Sequence, residues 1–310
     1  MKSISLGHRT TADIDRQVAK VMDGLGNPDP PIDLSIVRDL LKLDRGYYST
    51  SDDGFLREIF SRMKVAGKQV LLRPTILKDA VQTLSLKALY LPDQKRILLD
   101  NDLPPLKHRW NEAHEIGHDV IPWHAGMMLG DTEQTLTPIC HAHMEAEANY
   151  AAGQIVFPSC RFAVEAIAST PSLDLVRRLS KAFGNTMTST LWRFVEKGHG
   201  GRPMVALVTG HPHPTRRRPD FDAFNPCRYC VESQPFRERF RATETDLFAV
   251  VAGYCGSQRG GSLGQREVVL VDRNGDRHMF GFETFFNSYE AMTLGFQLRF
   301  EMRGTGFQNS

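Results

Sequence analysis

No stretch of this chain approaches the roughly 20 consecutive apolar residues needed to span a bilayer. The opening "MKSISLGHRTTADIDRQ" spreads charge through the place where a secretory leader would carry an apolar core. The expectation is a cytoplasmic protein with no membrane partner. Excess charge of one sign is also missing: 38 Lys and Arg face 36 Asp and Glu, a formal net charge of +2. Bulk electrostatics therefore give no reason to bind a polyanion, and nucleic-acid contact would need a local basic patch. Cysteine is scarce. Cys140, Cys160, Cys227, Cys230 and Cys255 are an odd number in 310 residues, which argues against a disulfide framework and leaves metal binding or packing as their uses.

What is present reads as an α+β chain. Residues 1–30 end in the breaker "GNPDPPID" and are expected to be a flexible segment, after which "LSIVRDLLKL" has helical apolar spacing at Leu34, Val37, Leu40 and Leu41. A second helix is expected over "DGFLREIFSRMK". The short apolar runs "KQVLLRP", "LKALYL" and "KRILLD", the last two joined by "PDQ", then suggest a small antiparallel sheet. Asp102, Pro104 and Pro105 suit the start of a helix that runs to Ile121 and stops before Pro122. A further helix is expected over "HAHMEAEANYAAGQIV", closed by Pro158. "PSLDLVRRLSKAFGNTMTSTLWRFVEKG" predicts two short helices broken at "GNT", with Ser172 as cap and Gly184 as stop. Beyond Gly198 the texture turns to β: "MVALVTG", "LFAVVAGY" and "REVVLVDRNGDRHMFGF" read as strands, with a hairpin at Asn274-Gly275.

The stretch "WNEAHEIGHDVIPWH" carries the chemistry. Residues four apart on a helix lie one above the other, so His114 and His118 can offer two imidazoles to one ion. Glu115 is turned about 100° from His114 and can stand beside a metal without ligating it. There it would act as general base toward a water activated by zinc. Trp110, Ala113, Gly117 and Val120 fall at the spacing of a buried stripe, and Gly117 permits a close helix approach. Two histidines need a third ligand, and "CHAHMEAEANYAAGQIVFP" offers Cys140, His141, His143, Glu145 and Glu147. Glu145, Ala148, Asn149 and Ala152 share a face from which a carboxylate can reach the first helix, while Glu147 lies on another.

With both helices in view, "RILLD", "AHEIGH" and "EAEANYAAGQIVFP", in that order, resemble the ImmA/IrrE family of zinc metallopeptidases. The likeness is specific across the two metal helices and looser over the rest of the span from Pro31 to Gly198. It implies a zincin-like domain over residues 31–165, one catalytic Zn2+ held by His114, His118 and Glu145, and Glu115 as the general base. It also implies a helix-turn-helix-like segment over 166–200, with Thr188, Ser189 and Arg193 on its second helix. The substrate implied is a regulatory protein, a helix-turn-helix repressor of the XRE type, cleaved in a stress or mobile-element response. The chain departs from the family at Asp119 and Pro122, where an apolar stretch usually continues. His124, His141 and His143 are the candidates for an oxyanion or ligand-supporting role.

Residues 201–310 are expected to form a β-rich α+β domain, for which the longer IrrE-like members imply a GAF-like sensor. "HPHPTRRRPDFDAFNPCRYC" brings His211, His213 and Arg216 to Arg218 next to a Cys-x-x-Cys. Cys227, Cys230 and Cys255 are candidates for a second, structural metal, and the arginines read as a solvated loop. The rival to the peptidase is a non-proteolytic, zinc-stabilised transcriptional regulator that binds DNA or a ligand; direct nucleic-acid contact is left open.

Overall fold

A computed structural model describes residues 6–48, 88–91, 94–101, 105–128 and 138–301. They divide into two compact units, Met1–Pro158 with Phe183–Asn185, and Ser159–Ala182 with Thr186–Ser310. Among the described residues no helix is long and apolar enough to cross a membrane. The predicted helix over "DGFLREIFSRMK", the strand "KQVLLRP" and the capping role of Asp102 lie outside the described residues.

The first unit opens with α1 (His8–Gly24), within the segment expected to be flexible. That expectation is corrected: Ile14, Val18, Val21 and Met22 recur at helical spacing and are buried, and the Tyr150 hydroxyl donates to Asp15 at 3.1 Å. Helix α2 (Leu34–Leu41) starts where Asp33 accepts from the Ser35 backbone N–H and buries Leu34 and Val37.

Strands β1 (Asp44–Tyr48), β2 (Ala88–Leu91) and β3 (Arg96–Asp100) form a sheet in the order β1-β3-β2. β2 and β3 pair antiparallel, as expected, but β1 joins β3 in parallel, so the sheet is mixed. "DRGYY" is short, polar and Gly-containing, and its partner lies some fifty residues downstream. β3 is central, and Ile97, Leu98 and Leu99 are all buried, as a continuous apolar run between two neighbours should be.

Helix α3 (Pro105–Val120) packs on this sheet, α4 (Pro122–Met128) follows after a single residue, and α5 (Pro138–Val156) lies against α3. Pro122 therefore ends one helix by opening the next, at a first-turn position where its missing N–H costs nothing.

In the second unit, α6 (Ser159–Ile167), α7 (Leu173–Ala182) and α8 (Met187–Arg193), the last extended by a π turn over Phe194–Gly198, accompany a sheet. Its strands are β4 (Met204–Thr209), β5 (Cys227–Glu232), β6 (Gly261–Val271), β7 (Arg277–Phe286) and β8 (Ala291–Glu301), in the antiparallel order β5-β4-β8-β7-β6. Ser172 caps α7 through Leu175 N at 3.1 Å, as expected, and Glu283 of β7 accepts from Leu173 N. Gly184 separates the two helices α7 and α8 at φ +65, where an added Cβ would stand 2.8 Å from Pro31 Cβ.

Helices α9 (Gln234–Arg239) and α10 (Glu244–Ala252) cover the sheet face that carries Val205, Leu207, Phe280 and Phe282. "LFAVVAGY", predicted as a strand, is α10. Its β-like composition is overridden by a capping box in which Thr243 accepts from Asp246 N at 3.2 Å and Asp246 from Thr243 N at 3.0 Å. The Asn274-Gly275 hairpin between β6 and β7 forms as predicted, with Gly275 at φ +84.

The segment expected to be helix-turn-helix-like forms its two short helices, α7 and α8. Along α8, Thr186 to Ser189 and Trp192 are half-buried and the other residues to Val195 are buried. Arg193 is buried, the Ser189 hydroxyl donates to Thr186 O at 3.1 Å, and Thr188 contacts Met292 of β8. The helix pair belongs to the same compact unit as the C-terminal sheet.

Candidate metal centre

The site begins with the fit of α3 against α5. A Cβ on Gly117 would lie 2.8 Å from the Ala148 carbonyl oxygen and 3.2 Å from Ala151 Cβ, so only glycine allows this approach. Ala148, Ala151 and Ala152 are fully buried in the seam. Close packing there carries Glu145, one turn before Ala148, to the histidines of α3.

His114 Nε2 lies 3.2 Å from Glu145 Oε2, His118 Nε2 lies 3.6 Å from Glu145 Oε1, and the two Nε2 atoms are 3.3 Å apart. A tetrahedral ion with bonds of about 2.0–2.1 Å needs ligand atoms about 3.3–3.4 Å apart, so the donor set fits zinc. Among the described residues this is the one group of three or more His, Cys, Asp or Glu side chains able to converge on an ion. His118 is buried, while 40% of the Glu145 side chain stays exposed, so the group opens to solvent on the α5 side.

The remaining ring nitrogens are also engaged. His114 Nδ1 meets Asn149 Oδ1 at 3.1 Å, and His118 Nδ1 meets His124 Nδ1 at 2.9 Å. His124 Nε2 in turn lies 3.0 Å from Glu147 Oε2, to which Trp123 Nε1 donates at 2.6 Å. Glu147 is therefore not part of the ligand group. His124 has both nitrogens occupied and is fully buried, which corrects its candidacy as an oxyanion donor. His143 is exposed and turned about 200° round the helix from Glu145, so it stands away from the group. The side chains of His141 and Cys140 lie outside the described residues.

Glu115 is 6% exposed and sits against β2. Burial pushes its carboxyl up to about 7; the positive charge of His114 and the Tyr90 backbone N–H oppose this, and the charge of Glu145 adds to it. For Glu145 burial acts upward, but the hydrogen bond from His114 and the two neighbouring imidazoles outweigh it and hold the carboxyl below the usual carboxylate range. Burial disfavours charge on both imidazoles. At His114 the Glu145 hydrogen bond and the nearby Glu115 overcome it and raise the pKa, whereas His118 falls to about 4.

Further residues hold α3 in place, and single-sequence reading had no handle on them. Buried Glu112 accepts from Arg38 Nε of α2 at 2.5 Å and from Arg45 Nη1 of β1 at 3.2 Å. Asp119, a departure from the family pattern, binds the Tyr90 hydroxyl and accepts from Lys95 Nζ at 2.6 Å, tying α3 to the β2–β3 hairpin.

The second metal site is corrected. Tyr229 pairs with Val208 and Cys227 with Thr209, so Arg228 is an extra residue in β5 and both cysteines fall on the Leu207 face. There they pack with Cys255 among phenylalanines, and the three sulfurs form no ligand group. Burial raises all three thiols, Cys227 to about 12 and Cys255 to about 11, so in the metal-free protein they are protonated. The arginine loop is also structural in part: Arg216 Nε donates to Ser257 O at 3.1 Å. Arg217 donates to Pro212 O and lies 4.5 Å over the Phe221 ring.

Residues 74–194 match the family model described as IrrE N-terminal-like domain, Peptidase M78. This segment belongs to the ImmA/IrrE family. The IrrE N-terminal-like domain therefore includes β2, β3, both metal helices and the α6–α8 helices, and its class is that of metallopeptidases and IrrE-like regulators. Among solved structures, a Mycobacterium tuberculosis transcriptional regulator is similar at 14% identity, covering 94% of this chain and 88% of that one with a TM-score of 0.48. No curated protein matches the chain.

Proposed function

We propose that the chain is a zinc-dependent endopeptidase. The observation that carries this reading is the convergence of His114, His118 and Glu145 at tetrahedral spacing beside a buried Glu115. A zinc ion bound there would supply Lewis acidity toward a water and a peptide carbonyl. Glu115 takes the proton from the attacking water and returns it to the departing amine, a task suited to a buried carboxyl standing beside the ligand group without belonging to it. The exposed side of Glu145 leaves a path for substrate. The family points to a transcription regulator as partner, and we take the substrate to be a helix-turn-helix repressor of the XRE type. The C-terminal sheet unit is then the place where a stress signal would be read.

The test is incubation of the zinc-loaded protein with a helix-turn-helix repressor of the XRE type, with cleavage read by mass spectrometry. Glu115→Gln should keep zinc and lose at least 100-fold in cleavage rate, about the lower range for general-base removal, and Glu145→Ala should lose both. Full activity in Glu115→Gln would overturn the mechanism. Undiminished signalling by that variant in cells would favour the non-proteolytic regulator.

A further inference from the structure

A neutral imidazole has one N–H and one lone pair, so a hydrogen-bonded chain of imidazoles has a direction. His118 Nε2 faces Glu145 and His114, and its lone pair serves an ion there only if the ring proton sits on Nδ1. That Nδ1 faces another imidazole, His124 Nδ1, at 2.9 Å. Only one of the two nitrogens can carry the proton. The choice is made one step further out: Glu147 Oε2 lies 3.0 Å from His124 Nε2, and an ionised carboxylate can only accept. The His124 proton is thereby placed on Nε2, its Nδ1 becomes an acceptor, and His118 must donate from Nδ1.

We infer that the chain Glu147–His124 is a positioning device that fixes the His118 tautomer with its Nε2 lone pair aimed at the metal group. Trp123 Nε1 holds the carboxylate end by donating to the same Glu147 oxygen at 2.6 Å. His124 is fully buried, so water has no access to replace it. Histidine ligands usually lean directly on a carboxylate or carbonyl; His114 follows that habit more closely, resting on the Asn149 amide oxygen. At His118 the carboxylate acts through an interposed imidazole. The fold provides for this by ending α3 at Val120 and restarting at Pro122, which turns Trp123 and His124 back toward α5. The inference rests on the metal-site reading of His114, His118 and Glu145, with Trp123, His124 and Glu147 as positioning residues.

The experiment uses full-length protein labelled with 15N-histidine, metal-free and zinc-loaded, observed by long-range proton–nitrogen correlation. The expected result is His124 protonated on Nε2 and bare on Nδ1 in both forms, with His118 protonated on Nδ1. A His124 proton on Nδ1 would overturn the inference without any substitution being made. Zinc affinity by chelator competition supplies the second readout. His124→Leu should weaken binding by about 10–100-fold, the usual cost of losing a ligand's supporting partner. His124→Asn, whose Oδ1 stands near the position of Nδ1, should recover most of that loss. Wild-type affinity in folded His124→Leu, or equal losses in the two variants, would also overturn it. If the wild type takes up no zinc, the peptidase reading fails, while the His124 tautomer in the metal-free protein still decides whether the chain of protons runs as inferred.

Discussion

The chain carries two short motifs of metal-ligating residue types, His114-x-x-x-His118 on a helix and Cys227-x-x-Cys230 on a strand, and the structure treats them oppositely. Four residues make about one helical turn, so the histidines share a face, and a second helix brings a carboxylate to that face. Three residues on a strand normally put side chains on opposite faces. The cysteines share a face only through the extra Arg228, and that face meets Phe236, Phe280 and Phe282. Spacing makes a metal site when it matches the period of its element and when the opposing surface supplies charge. The cysteines satisfy the first condition by a bulge and fail the second.

The sharpest way to break this contrast is to remove one member from each motif. Glu145→Ala should lower zinc affinity by more than about 100-fold, since two histidines remain. The double change Cys227→Ser, Cys230→Ser should leave one zinc per chain by elemental analysis. A fall in zinc content on the cysteine side would move the metal to the second unit.

Next in size is the pH response of the metal-free protein. The Glu115 carboxyl has a reference value of 4.5 and a folded value of about 7, so the folded state keeps its proton longer than the unfolded chain. The stability this gives is fully present below 4.5 and is lost as pH rises through about 7, by about 3 kcal/mol for this one group. Glu145, depressed in the fold, works the other way and loses its contribution as pH falls. Denaturation of wild type and Glu115→Gln at pH 5 and pH 8 should show the wild type losing relative stability at the higher pH. Parallel behaviour of the two proteins would contradict the burial argument.

Gly117→Ala is expected to cost about 1–3 kcal/mol by overpacking the α3–α5 seam and to weaken zinc binding along with it. Smallest is the thiol chemistry: at neutral pH exposed Cys160 should react with an alkylating agent, while Cys227 and Cys255 stay unmodified in the folded protein because burial keeps them protonated. Fast modification of Cys227 would show the apolar face to be open.

Helices α3 and α5 and the grouping of His114, His118 and Glu145 were legible because their signals are local: a histidine pair at helical spacing, alanines around Glu145 at 3.6-residue period, and prolines at the ends. The Asn274-Gly275 turn was legible for the same reason. The connections that complete the site were not. His124 to Glu147, Asp119 to Tyr90 and Glu112 to Arg38 join residues 23, 29 and 74 positions apart, and no periodicity reports them. The error at "LFAVVAGY" has a different cause, since β-branched and aromatic residues outweighed the capping pair Thr243 and Asp246 that starts α10. At the N-terminus the Pro-rich stretch after residue 27 argues for disorder, while the amphipathic spacing of Ile14, Val18, Val21 and Met22 before it forms α1. The parallel strand β1 lacks the apolar alternation that marks a strand.

The account stands most directly on where the metal sits, and X-ray absorption at the zinc edge of the loaded, full-length protein measures that. The expected spectrum has one zinc per chain with nitrogen and oxygen neighbours at about 2.0–2.1 Å, imidazole scattering from two histidines, and no sulfur. Sulfur neighbours at about 2.3 Å would place the ion on the cysteines and contradict the assignment of His114, His118 and Glu145.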